Sequence, residues 1–268
     1  GELGAYSHQA CVEVFPGQTP LPCHSFEGAI AAVNEGRADM AMLPVENSTY
    51  GRVADIHALL PESGLHIIGE HFVRVHVNLF GIEGAELTDI KTAMSHTVLL
   101  GQSREFLAKH EIKPETGADT AGSAKHVATA GDPSLGALCS ELAGELYGLN
   151  LLAKHIEDNA HNTTRFLVTA PKPKHIPHEG KVMTTLVFEV RNLPSALFKA
   201  MGGFATNGVN MVKLESYMLN GSFNATQFYA DIEGHPEDEG VKRALEELRY
   251  FTNSVRILGT YPAAKFRE

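Results

Sequence analysis

The sequence predicts a mixed α/β fold in two parts, and three observations carry that prediction. Short apolar strands alternate with helical stretches over residues 25–169. A proline-rich seam, Pro171-Lys-Pro-Lys-His-Ile-Pro-His-Glu-Gly180, then interrupts the chain. Beyond it the elements read strand, helix, strand, strand, helix, strand, the ferredoxin-like order.

In the first part, Ser25 is placed to cap a helix over 25–34 that Gly36 ends. Met40-Ala-Met-Leu-Pro-Val45 reads as a buried strand running into a polar loop. Residues 53–60 read as a helix, 65–80 as a strand-rich passage, 90–94 as a strand and 97–110 as one helix. Helix 120–129, strand 135–139, helix 141–147 and strand 165–169 complete the alternation. Three prolines within Pro171–Pro177 sustain neither a helix nor a central strand, so 173–180 is read as a linker between residues 1–172 and 181–268.

In the second part, residues 182–190 alternate as a strand, and Pro194 opens a helix carrying Leu197, Met201 and Phe204 on one face. Strands over 211–217 and 223–232 flank Leu219-Asn-Gly221, a hairpin signal. Helix 237–250 carries Val241, Leu245 and Leu248 on one stripe, and 255–259 is the last strand.

With 22 Lys+Arg against 32 Asp+Glu the net charge is −10. That balance opposes a nucleic-acid or anionic-membrane partner, while a small anionic substrate needs only a few local donors. The three cysteines, Cys11, Cys23 and Cys139, make no disulfide framework and point to a reducing, cytoplasmic setting. No apolar run reaches the length of a membrane span. Fourteen histidines invite a metal, but no HExxH and no Cys/His cluster with ligand spacing occurs, so no metal site is expected.

Four polar segments are candidates for chemistry. Gly1-Glu-Leu-Gly-Ala-Tyr-Ser-His8 leads into a helix, where glycines let backbone N–H groups approach an anion and Ser7 and His8 add donors; an ordinary tight turn is the plain alternative. Pro44-Val-Glu-Asn-Ser-Thr-Tyr-Gly51 follows a strand end, where α/β sheets bind ligands, or it merely caps the next helix. Asn162-Thr-Thr-Arg-Phe166 offers a guanidinium suited to a carboxylate beside two hydroxyls, or an arginine at a strand start. Ser95-His96 supplies a hydroxyl and an imidazole, or a helix cap.

Taken in order, these segments resemble the prephenate dehydratase family along nearly the whole chain. Gly1, Gly4, Tyr6 and Ser7 match its glycine turn, and Pro44-Val45-Glu46-Asn47-Ser48 with Gly51 matches its Pro-Ile-Glu-Asn-Ser loop. Thr164-Arg165-Phe166 matches its Thr-Arg-Phe signature, after a run-in of Tyr147-Gly-Leu, Ile156-Glu-Asp and Asn162. The family's Ser-His-Pro stretch departs here to Ser95-His96-Thr97, with Ser103 in place of its cysteine. The C-terminal part resembles an ACT regulatory domain. Its Gly-Ala-Leu is Ser195-Ala196-Leu197 and its Glu-Ser-Arg-Pro is Glu215-Ser216-Tyr217-Met218.

The resemblance implies a catalytic domain of two α/β lobes, like two-lobed solute-binding proteins, with crossings near residues 74 and 160 and the four loops facing one cleft. It implies that prephenate is converted to phenylpyruvate without a cofactor. Thr164 would donate to or protonate the leaving hydroxyl, Arg165 would hold a substrate carboxylate and Phe166 would wall the departing one. Ser7, Asn47, Ser48, Ser95 and Thr163 are further substrate contacts, with Glu46 and His96 as supporting residues or relays. L-Phenylalanine is the implied effector, held by Ala196, Leu197, Asn210, Leu214, Glu215 and Ser216 in a homo-oligomer, dimer or tetramer, joined through the ACT part. A strand that the family places before the glycine turn is expected upstream of Gly1. The alternatives are an arogenate dehydratase, whose substrate carries an ammonium for the keto group, and a non-catalytic amino-acid or keto-acid sensor.

Overall fold

The structure is a computed structural model that describes residues 1–159, 161–177, 180–218 and 225–267. The chain gathers into two units. One comprises Gly1–Ser25, Glu46–Arg52 and Phe72–Phe166; the other comprises Phe26–Val45, Val53–His71 and Leu167–Glu268.

The elements open with α1 (Tyr6–Val14), α2 (Phe26–Asn34), β1 (Ala41–Asn47), β2 (Gly51–Arg52), α3 (Ala54–Glu62) and β3 (His66–Arg74). β4 (Asn78–Gly81), β5 (Thr92–Ser95), α4 (Thr97–Gly101), α5 (Arg104–Lys109), β6 (Lys113–Thr116) and α6 (Thr120–Ala130) follow. β7 (Leu135–Cys139), α7 (Glu141–Leu146), β8 (Asn150–Ala153) and β9 (Thr163–Ala170) lead to the seam. Beyond it stand β10 (Val182–Val190), α8 (Ala196–Thr206), β11 (Met211–Met218), β12 (Ala225–Glu233), α9 (Glu239–Phe251) and β13 (Thr252–Pro262).

In the first unit the sheet order is β6-β5-β7-β4-β8. β5 runs parallel to β6 and β7, while β4 is antiparallel to β7 and β8. Its core joins Val77, Leu79, Ala93, Leu100 and Leu138 on one side. Phe80, Ala124, Val127, Ala137 and Cys139 form the other. α6 is capped by Asp119, whose Oδ1 accepts the Gly122 amide at 2.7 Å. The single helix expected over 97–110 is instead two, α4 and α5. Asp158 causes the break: its carboxylate accepts the Arg104 and Glu105 amides at 3.0 and 3.2 Å and so caps α5 from a distant loop.

Burial pushes the Cys139 thiol up to about 12, and the side chain is 0% exposed. Cys11 and Cys23 are both half-buried, and all three cysteines are free. Because the thiolate is the nucleophile, a thiol reagent at pH 8 is expected to label Cys11 and Cys23 in the native chain and Cys139 only after denaturation. Native labelling of Cys139 at a comparable rate would contradict this packing.

In the second unit the C-terminal elements take the expected βαββαβ order, with strands arranged β11-β12-β10-β13 and β3, β9 and β1 beyond β13. β10 pairs on both sides, with β12 and β13, and all but one of its residues are buried, so the one-sided burial that its expected alternation implies is replaced by burial of both faces, Thr184 and Thr185 included. α9 buries Val241, Ala244, Leu245 and Leu248, the stripe its spacing predicts. The expected hairpin at Leu219–Gly221 lies outside the described residues.

Of the linker expected at 173–180, residues 173–177 carry no helix or strand; a core of Leu186, Phe188, Phe204 and Leu245 lies wholly beyond it, and one further cluster spans it. Leu43, Ile67 and Leu167 share one apolar cluster with Met183, Tyr229, Leu258 and Tyr261. β13 pairs parallel with β3 at Gly259 and Ile67, which extends the C-terminal sheet into strands from the front of the chain. Among the described residues no helix is long and apolar enough to cross a membrane, and no group of three or more His, Cys, Asp or Glu is placed to hold a metal ion.

Candidate active site

The site grows from the polar end of β1. Ala41, Leu43 and Val45 are buried in alternation, and the chain then turns polar at Glu46. Asn47 Oδ1 accepts the Thr49 and Tyr50 amides at 2.9 and 3.0 Å, closing a local turn. Gly51 completes the reversal with φ of +79°, a backbone conformation that favours glycine. β2 then pairs back on β1, Glu46 opposite Arg52 and Asn47 opposite Gly51.

Ser48 stitches this hairpin to the segment before β9. Its amide donates to the Thr163 carbonyl at 2.9 Å, its hydroxyl donates to the His161 carbonyl at 2.7 Å, and its Oγ accepts the Thr163 amide at 2.9 Å. Tyr50 reaches across to donate to the Val98 carbonyl on α4 at 3.1 Å. Glu46 meets Arg165 at 2.8 Å.

Successive strand residues point to opposite faces. Thr164 and Phe166 therefore share a face of β9, and Thr163 and Arg165 take the other. Arg165 is 1% exposed, and Nη1 donates to Glu46, so its charge is balanced inside the protein in this arrangement. Thr164 is half-buried and bonded to Asn47, whose Nδ2 donates to its Oγ1 at 3.0 Å. Phe166 is buried at 2% exposure.

Two further amides belong to this cluster, and sequence reasoning did not single them out as site residues. Asn47 Nδ2 also donates to Asn162 Oδ1 at 2.7 Å, and Asn162 Nδ2 donates to Gln102 Oε1 at 2.7 Å. Asn162 and Gln102 are buried, and the Gln102 amide nitrogen has no hydrogen-bond partner among the described residues. Asn162 stands two residues before Thr164, inside a segment already singled out, whereas Gln102 stands seven residues after Ser95, beyond the Ser95-His96 pair. What the sequence could not signal is that long-range packing would bury them side by side.

The other expected residues sit differently. Ser95 is 0% exposed and donates its hydroxyl to the Leu138 carbonyl at 2.6 Å, which ties β5 to β7. His96 is the N-cap of α4, with Nδ1 accepting the Val98 amide at 3.3 Å, the plain alternative weighed for it. α4 reaches the Thr164 cluster through Gln102 rather than through Ser95 or His96. The Gly1–Ser7 turn leads into α1 as expected, but its hydrogen bonds run elsewhere: Ser140 donates to the Gly4 carbonyl at 2.6 Å and Tyr147 to the Leu3 carbonyl at 3.1 Å. Burial lowers the His8 imidazole, which favours the neutral ring whose Nδ1 accepts the Gly4 amide at 2.9 Å. Gly4 has φ of +90°, and a Cβ there would stand 2.8 Å from Ala143 Cα. Gly4→Ala is therefore expected to cost about 1–3 kcal/mol, read as a lowered denaturation midpoint. An unchanged midpoint would refute the close approach.

The cluster around Thr164 offers neutral donors: one hydroxyl and, at Gln102, one buried amide nitrogen. Such a set favours orienting a polar ligand and assisting the departure of a hydroxyl by hydrogen bonding.

The amide cluster, hairpin and signature strand all fall within residues 1–174, which match the family model for prephenate dehydratase. A bifunctional N-acyl-homoserine lactone acylase/prephenate dehydratase of Komagataeibacter europaeus is 52% identical over 100% of this chain and 96% of its own length. The chloroplastic arogenate dehydratase/prephenate dehydratase 1 of Arabidopsis thaliana is 36% identical, covering 98% of this chain and 70% of the plant protein. Among solved structures, the prephenate dehydratase of Arthrobacter aurescens in complex with L-Phe aligns with a TM-score of 0.89 at 32% identity, over 98% of this chain and 89% of that one.

Proposed function

This chain belongs to the prephenate dehydratase family, and we propose that its Glu46–Arg52 hairpin and Asn162–Phe166 segment hold prephenate as it loses water and carbon dioxide. The activity is that of a carbon–oxygen lyase. In the balanced reaction the prephenate dianion takes up one proton and gives the phenylpyruvate monoanion, CO2 and water. The C–CO2 bond breaks, its electron pair enters the ring, the ring C–O bond breaks, and the departing hydroxide takes the proton. Aromatisation drives the step, so the protein mainly positions the substrate and eases hydroxide departure.

One observation carries the assignment of the site. Asn47 donates to Thr164, so the Thr164 oxygen serves as acceptor and its own hydrogen is not spent on that bond. That hydrogen is the donor offered to the leaving hydroxyl. A side-chain amide is no acid, so Asn47 does not feed protons to Thr164; the threonine stabilises charge on the departing oxygen, and the proton comes from solvent. Phe166, on the same strand face, supplies the apolar wall for the departing carboxylate, whose charge vanishes in the transition state and gains nothing from a cation. Arg165, implied as the holder of the other, retained substrate carboxylate, is paired with Glu46 and is read here as supporting the strand. The Glu46–Arg165 and Asn47–Thr164 bonds, made by consecutive residues on each side, hold the end of β1 in place against β9. Ser48 and Thr163 fasten the same seam. Ser95 and His96 act indirectly, by holding β5 and starting α4. Ser7 remains a candidate substrate donor.

The C-terminal segment is read as an ACT regulatory domain that binds L-phenylalanine. Ala196, Leu197 and Leu214 lie against one apolar cluster, Glu215 and Ser216 follow on β11, and Asn210 donates to Glu233 at 3.0 Å. β11 ends its sheet, and an edge strand offers backbone groups for a second copy of the chain to pair with. The Arthrobacter aurescens relative solved with L-Phe supports the effector. We read the setting as cytoplasmic, a reading that the three free cysteines support.

Initial rates on prephenate and on arogenate, with and without L-phenylalanine, test this reading. Faster turnover of prephenate and slower turnover with the effector are expected; arogenate turnover alone would reassign the substrate. A second reading, amide hydrolysis of an N-acyl-homoserine lactone, rests on the name of the 52%-identical relative. Release of free homoserine lactone from the same preparation would establish it, and its absence would remove it.

A further inference from the structure

We propose that Asn162 is a positioning residue for the dehydration step: it fixes the orientation of the Asn47 and Gln102 amides on either side of it. The inference rests on the dehydratase reading above.

The direction of each amide follows from the one before it. Two backbone N–H groups, of Thr49 and Tyr50, point at one end of Asn47, and only an oxygen can accept both. The nitrogen end of Asn47 is thereby forced toward Thr164 and Asn162. Asn162 must answer with its oxygen, which turns its own nitrogen to Gln102. Gln102 must in turn answer with oxygen, and its nitrogen is left as a buried donor with no acceptor among the described residues. A buried donor without an acceptor is costly, and a ligand oxygen relieves the cost. Asn162 is 1% exposed, so bulk water is kept away from both of its bonds.

Asn162→Asp tests this directly. In this variant the ionised carboxylate accepts from Asn47 but cannot donate to Gln102. Gln102 then turns its nitrogen toward that carboxylate and presents an acceptor where a donor stood. The expected result is a kcat about 100-fold below the unaltered chain at pH 8, a loss typical of one misplaced donor, with a smaller change in KM. A protonated carboxyl donates as the amide does, and burial raises the pKa of a carboxyl. Activity relative to the unaltered chain should therefore recover at least tenfold as the pH falls from 8 to about 5.5, a recovery that a merely structural role does not produce. Gln102→Glu makes the same donor-for-acceptor exchange without touching Asn47, and the same recovery is expected if Asn162→Asp fails to fold. Turnover by the unaltered chain, combined with a variant ratio that is flat with pH or near one, would overturn the inference alone. No prephenate turnover by the unaltered chain would overturn the dehydratase reading and this inference with it.

Discussion

Thr164→Ala is expected to lower kcat on prephenate by about 10²–10³-fold while changing KM by less than about threefold. The cause is differential binding. Substrate hydroxyl and departing hydroxide occupy nearly the same place, but only the latter carries developing negative charge, so a donor there acts mostly in the transition state. The half-buried setting strengthens the bond, because fewer waters compete for the oxygen. In the variant Asn47 Nδ2 loses one of its two acceptors and keeps its bond to Asn162. Thr164→Ser keeps the hydroxyl and is expected to retain activity within about tenfold, since only a methyl group and some rotamer restriction are lost. Steady-state kinetics on the three proteins reads the effect. Turnover of Thr164→Ala equal to that of the unaltered chain would end the assignment of this hydroxyl.

Glu46→Ala is expected to be the most destabilising change at the site, by about 3 kcal/mol. Arg165 is 1% exposed, and a guanidinium does not shed its proton to escape burial. Removing the carboxylate at 2.8 Å leaves that charge without this partner in a place water barely reaches. Glu46 itself is 31% exposed, which keeps the figure at the lower end of the range for breaking a buried pair. Glu46→Gln retains an oxygen acceptor and should cost less. Urea denaturation followed by a probe within residues 72–166 reads the difference. A change under about 0.5 kcal/mol in Glu46→Ala would show that the pair does not anchor Arg165.

Much of this was legible in the sequence where the cause is local. β10 reads as a strand because its residues are apolar or β-branched almost throughout, and α9 reads as a helix because its apolar residues recur at helical spacing. The His96 cap of α4, one of the alternatives offered for that residue, follows from side-chain chemistry within two residues. The illegible parts depend on partners far away in the chain. The break between α4 and α5 is made by Asp158, 54 residues from Arg104. β6 is exposed at every residue and contains a proline, so no apolar alternation announces it; parallel pairing with β5 makes it a strand. Arg165 reads as a free guanidinium until Glu46, 119 residues distant, is seen to hold it. Ser95 looks like an available hydroxyl until Leu138 takes its hydrogen. Two of the motif-bearing segments, the hairpin and the signature strand, lie side by side in the structure. The division of labour within them needed geometry.

The most direct test is kinetic: the purified chain is mixed with prephenate at neutral pH, and phenylpyruvate, CO2 and proton uptake are followed together against the uncatalysed background. The predicted result is rapid, protein-dependent product with one CO2 released and one proton consumed per phenylpyruvate, lost in Thr164→Ala. Phenylpyruvate appearing only at the background rate, from a chain shown by denaturation to be folded, would contradict it.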